Sequence, residues 1–136
     1  MTDGEEALTD RSEIRRLLRE LYDARVRSDL EGLCRAFSAE ATFKIAGISH
    51  HAAPIAVTAV GIGDIRQWLT LLLKTFQVKD QVILSTIVEN DRAAVHWRAK
   101  IHSRITGITV LTELVDLVEV SDGRIVSYME FLAPCR

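Results

Sequence analysis

The stretch LTELVDLVEVSDGRI, residues 111–125, reads as an apolar strand running into a turn, with Asp116 at its centre among Leu114, Leu117 and Val118. Alternation with a period of two marks a half-buried strand, and Asp-Gly before a second apolar run marks a hairpin. Even positions group Thr112, Leu114, Asp116, Val118 and Val120, whereas odd positions group Glu113, Val115, Leu117 and Glu119. The preceding run AVHWRAKIHSR (94–104) separates Val95, Trp97, Ala99 and Ile101 from His96, Arg98, Lys100, His102 and Arg104. Setting the two glutamates against this basic face is favourable across a sheet, and that register turns Asp116 inward.

An ionised carboxylate buried without partners costs several kcal/mol, and its usual escape is a raised pKa. In the following run, Val126, Tyr128, Glu130 and Leu132 share one face and Ser127, Met129 and Phe131 the other. If the even set faces inward, Tyr128 and Glu130 join Asp116, and two carboxylates in one apolar cavity cannot both ionise cheaply. The alternative for Asp116 is a structural carboxylate bonded to Trp or Tyr, or one turned outward by a β-bulge. The alternative for Glu130 is an ordinary solvated side chain.

Working outward, strands are expected near 80–89, 92–104, 109–120 and 124–132, separated by END, TG and SDG turn signals, as an antiparallel meander. Upstream the period changes to that of helices. Asp10 and Glu13 form a capping box before Ile14, Leu17, Leu18 and Leu21, predicting a helix to about Arg27 with its arginines on the outer face. SDLEGLCRAF (28–37) predicts a shorter helix capped by Ser28 or Asp29. A third is expected from Asp64, boxed with Gln67, carrying Ile65, Trp68, Leu69, Leu72 and Phe76 inward and ending before Lys79. ATFKI (41–45) is a short strand, and residues 48–62, with Pro54 and Gly61, read as an irregular or partly extended connection. Helices first and strands last predict an α+β domain over 9–136, after a tail of 1–8, with helices covering one face of a curved sheet.

The 136 residues suffice for one core. A net charge of −2, with basic and acidic residues interleaved, gives no general attraction to nucleic acid. The acidic MTDGEEALTD start and the lack of a long apolar run predict a cytoplasmic protein with no membrane partner. Cys34 and Cys135 have no metal-ligand spacing and are expected to be free thiols.

SDLEGLCRAFSAEATF (28–43) and VDLVEVSDGRIVSYMEF (115–131) resemble the nuclear transport factor two-like superfamily, within it the SnoaL-like proteins and steroid delta-isomerases. The resemblance implies a cone-shaped half-barrel, a curved antiparallel sheet wrapped around N-terminal helices, with an apolar pocket between them and frequent pairing as homodimers through the outer sheet face. Asp116 is similar in placement to the isomerases' protonated cavity aspartate. Their general base would fall at Ile45, and their helix-one tyrosine at Leu21, one residue before Tyr22. The limonene-epoxide-hydrolase branch needs a pocket arginine flanked by aspartates, whereas Arg98 is expected to face outward. SnoaL-like cyclases use a pocket acid as base in an aldol closure, a role open to Asp116.

The leading expectation is therefore a cofactor-independent enzyme, without metal, doing acid/base chemistry as an isomerase, cyclase or lyase on an apolar carbonyl-containing small molecule. Asp116 would be the acid or base, assisted by Tyr22, Glu130 and a histidine, His50 or His51, from the segment over the pocket mouth. Leu18, Trp68 and Leu72 would line the pocket from the helices. Phe43, Trp97, Ala99, Ile101, Leu114, Val118 and Tyr128 would line it from the sheet. The alternative is a non-catalytic ligand-binding or dimerisation module of the same fold.

Overall fold

A computed structural model describes residues 3–48 and 54–135. Three helices, α1 (Asp3–Val26), α2 (Leu30–Arg35) and α3 (Ile62–Thr75), pack against one six-stranded curved sheet. Its strands are β1 (Phe37–Ile48), β2 (Pro54–Val60), β3 (Phe76–Glu89), β4 (Arg92–Ser103), β5 (Thr109–Ser121) and β6 (Arg124–Pro134), in the order β2-β1-β6-β5-β4-β3. This is the expected α+β cone. The pairing of β1 with β6 is parallel, a feature the meander pattern did not reveal, because β1 lies across the chain from its neighbour.

The register around Asp116 follows the alternation. Val95 pairs with Asp116, Trp97 with Leu114 and Arg98 with Glu113. The even positions of β5 are buried and Glu113 and Glu119 exposed. On the outer face Glu113 also meets His96 at 3.1 Å. The β5–β6 hairpin turns through Asp122 and Gly123, both at positive φ, which is why Asp-Gly is such a strong turn signal. A register shift between Glu119 and Val120 follows, so Ile125 is fully buried where Val126 was expected inward, and from Tyr128 onward the even positions face the core.

Several boundaries differ from expectation. The first helix runs unbroken from Asp3, past the Asp10 capping signal, because the flanking Glu-Glu-Ala-Leu run is itself helix-forming. The third starts at Ile62 after Gly61, at positive φ; Asp64 reaches back to accept from the Val60 N–H (3.1 Å) instead of capping. Phe76 is not on that helix but opens β3, which begins four residues before the expected strand. The segment after residue 53 forms β2, whose Ile55, Val57 and Ala59 turn inward; Pro54 is tolerated as the first residue of an edge strand. As expected, Asp29 caps α2, accepting from the Gly32 N–H at 3.0 Å.

The core lies between α1, α3 and the concave sheet face. Ile14, Leu18, Leu21 and Tyr22 of α1 meet Val95, Trp97 and Leu114, and Ile65 and Leu69 of α3 join them. Among the described residues no helix is long and apolar enough to cross a membrane, and no cluster of three His, Cys, Asp or Glu side chains is placed to hold a metal.

Candidate active site

Asp116 and Glu130 are directly paired on β5 and β6, and both are buried, at 0% and 1% exposure. Asp116 Oδ2 accepts three hydrogen bonds: from the Tyr22 hydroxyl (2.5 Å), the Tyr128 hydroxyl (2.6 Å) and Trp97 Nε1 (2.8 Å). Its Oδ1 has no hydrogen-bond partner among the described residues. Glu130 instead receives Arg25, whose Nη1 and Nη2 reach its two oxygens at 2.5 and 3.1 Å, and lies 3.3 Å from the Tyr128 hydroxyl. The Arg25 guanidinium also sits over the Trp97 ring, 4.9 Å from its centroid, where the ring face attracts a cation.

The charges separate accordingly. Burial and then the neighbouring Glu130 charge raise the Asp116 carboxyl well above the usual range, outweighing Arg25 and the Tyr128 bond. Burial alone would also raise Glu130, but the Arg25 charge and its two hydrogen bonds hold that carboxyl below its ordinary value. These opposite shifts favour the proton on Asp116 and the charge on Glu130, opposite Arg25. Burial beside these acids raises both tyrosines, so Tyr22 and Tyr128 act as donors.

A cavity of about 400 Å³ opens beside this cluster, a size usual for small-molecule sites. Arg25 and Glu130 are the charged members of its wall among the described residues, and Tyr128 adds a hydroxyl. Most of the remainder is apolar, including Leu33, Phe43, Ile45, Leu69 and Leu114. Phe43 stacks on Tyr128 with ring centroids 5.6 Å apart, which fixes the tyrosine's orientation.

Of the residues expected along a pocket, Phe43, Leu72, Ile101, Leu114 and Tyr128 border this cavity, while Leu18, Trp68, Trp97, Ala99 and Val118 are absent from its wall. Asp116 and Tyr22 stand one layer behind, reaching the cavity through Tyr128, and Glu130 is the acid in the wall itself. The expected loop histidines, His50 and His51, lie outside the described residues. Arg25 was not anticipated, having been grouped with the outward arginines. Its signal was present: it falls three residues after Tyr22, four after Leu21 and seven after Leu18, on the buried stripe of α1. An arginine paired with a single acid, Glu130, therefore exists in this cavity, supplied by α1 and not by Arg98, which is exposed.

Residues 18–128 match the model of the SnoaL-like domain, and the chain belongs to that family. Solved structures share the fold. A candidate isomerase from Bacillus subtilis is 18% identical with a TM-score of 0.75, over 98% of this chain and 91% of that one. A Catenulispora acidiphila protein with a ketosteroid isomerase-like fold, in complex with trimethylamine, is 16% identical with a TM-score of 0.68, covering 84% and 82%. An LEH-like epoxide hydrolase from M. tuberculosis is 13% identical with a TM-score of 0.68, covering 90% and 84%. No curated protein sequence matches the chain.

Proposed function

We propose that this chain is a cofactor-independent acid/base enzyme acting on an apolar carbonyl-containing small molecule, as an isomerase, cyclase or lyase. The observation that carries this reading is the Arg25–Glu130 ion pair in the wall of a largely apolar cavity, backed by a second buried carboxyl, Asp116, whose pKa burial raises. With a substrate carbonyl oxygen directed at the Arg25 guanidinium, Glu130 takes the proton from the adjacent carbon. As that proton neutralises Glu130, Arg25 loses its counter-charge at the moment the enolate oxygen becomes negative, so stabilisation is greatest in the transition state. Returning the proton to another carbon isomerises the substrate; attack of the enolate carbon on a second carbonyl closes a ring, and the alkoxide so formed takes the proton back from Glu130. Asp116 and Tyr22 are positioning residues in this scheme, holding Tyr128. Relatives of the same fold, a candidate isomerase and an LEH-like epoxide hydrolase, lend support to chemistry on a small molecule.

The second reading, a non-catalytic ligand-binding module, is favoured by Asp116 standing behind the wall with three donors on one oxygen. In either case we expect a homodimer through the outer sheet face, where Val115, Leu117, Met129 and Phe131 form an apolar group.

Proton exchange separates the two readings without knowledge of the substrate. The protein is incubated in deuterated water with a panel of apolar ketones, and loss of the α-proton signals is followed by NMR. The enzyme reading predicts protein-dependent exchange that Glu130→Gln abolishes. Ketones that bind without any accelerated exchange would leave only the module.

A further inference from the structure

Part of the cavity wall is also molecular surface. Ile48 at the end of β1, Phe76 at the start of β3 and Ile108 before β5 all border the cavity and are 49%, 39% and 45% exposed. They lie at one end of the sheet. Phe76 pairs with Ser103, whose N–H donates to the Ile108 carbonyl at 2.9 Å, while Gly47, beside Ile48, pairs with Leu132. Ile105 in the same β4–β5 turn is 77% exposed. Single exposed apolar residues are ordinary, but a group continuous with a cavity wall marks a surface that something covers.

The charged corner is distant from this rim. Ile45 pairs with Glu130, and Ile48 lies three residues further along β1; Val110, near the mouth, lies six residues from Asp116 along β5. At the rise of an extended strand these separations are roughly 10 and 20 Å, the span of a medium to long aliphatic chain. A compact ligand seated at Arg25 would leave the rim wet.

We propose that the ligand is an elongated amphiphile: an oxygen-bearing head against Arg25, Tyr128 and Glu130, and an aliphatic chain that fills the cavity and emerges over Ile48, Phe76 and Ile108. This rests on the reading of that corner as the head-group site. It adds a substrate class, a chain long enough to reach the surface, and a role for residues remote from the chemistry.

A series of straight-chain methyl ketones tests it by calorimetry. Each methylene that leaves water tightens binding about fourfold, and the gain is expected to persist until the chain covers the rim. Ile108→Ser, a change at a solvent-exposed turn, is expected to weaken long members at least tenfold and short members less than twofold. A plateau at chains too short to reach the rim, or an equal effect on short and long members, overturns the elongated ligand and leaves the head-group reading intact. If no member of any length binds, both are overturned.

Discussion

Asp116 and Glu130 face each other across β5 and β6, yet Arg25 closes on Glu130 alone and leaves Asp116 to two tyrosines and a tryptophan. This asymmetry assigns one proton to the pair and decides which acid keeps it.

Asp116→Asn retains the oxygen that accepts from Tyr22, Tyr128 and Trp97. Because the folded-state pKa of Asp116 is raised, its contribution to parent stability is full below the ordinary aspartate value and is lost as pH rises toward the folded value. The variant lacks that loss. Its stability relative to the parent is therefore expected to improve with pH from about 4 upward, by at most about 1.4 kcal/mol per pH unit within the titration window. Urea unfolding at a series of pH values measures this. A difference that is flat or reversed in sign contradicts a protonated Asp116.

Arg25→Met leaves the Glu130 carboxylate buried without its counter-charge. Breaking a buried pair costs about 3–5 kcal/mol, and with 21% of the Arg25 side chain exposed the expectation is about 2–4 kcal/mol at neutral pH. The Glu130 pKa is lowered in the parent, so the pair's contribution is present above the ordinary glutamate value and lost as pH falls through the folded value. The deficit of Arg25→Met should accordingly shrink in acid. Adding Glu130→Gln removes the stranded charge and is expected to restore part of the lost stability, a coupling read from a double-mutant cycle.

Tyr22→Phe removes one of three donors to Asp116 Oδ2 while keeping the ring that packs edge-on to Trp97, with centroids 5.5 Å apart. Two donors remain, so no acceptor is orphaned, and the expected cost is about 1 kcal/mol by thermal or chemical unfolding. A loss above about 3 kcal/mol would mean that the hydroxyl carries the cluster in a way its hydrogen bonds do not explain.

Leu117→Glu and Phe131→Glu place charges on the outer sheet face, where Leu117 is 45% and Phe131 41% exposed. Neither side chain points into the core, so the fold is expected to persist by circular dichroism while sedimentation shifts from dimer to monomer. A parent that sediments as a monomer contradicts this interface.

The sheet was legible because its code is short-range and two-fold: Val95, Trp97, Leu114 and Asp116 declare their faces by parity alone. What parity cannot carry is anything a bulge resets, and so Ile125 took the inward place expected of Val126. Nor can it reveal pairing between distant segments, such as β1 with β6. The cluster was partly legible for a related reason. An aspartate in an apolar strand stands out against its neighbours, whereas Arg25 blends into an arginine-rich helix and is identified only by its position on the Leu18–Leu21–Tyr22 stripe. Glu130, and not Asp116, is the acid that borders the cavity.

Carbon-13 NMR of side-chain-labelled aspartate and glutamate across a pH series tests the shared proton most directly. The account predicts that at neutral pH an aspartate carboxyl carbon resonates as the protonated acid and vanishes in Asp116→Asn, while Glu130 is ionised and its signal titrates below its ordinary value. An Asp116 carbon already at the carboxylate position near pH 5, or a protonated Glu130 at neutrality, would contradict it.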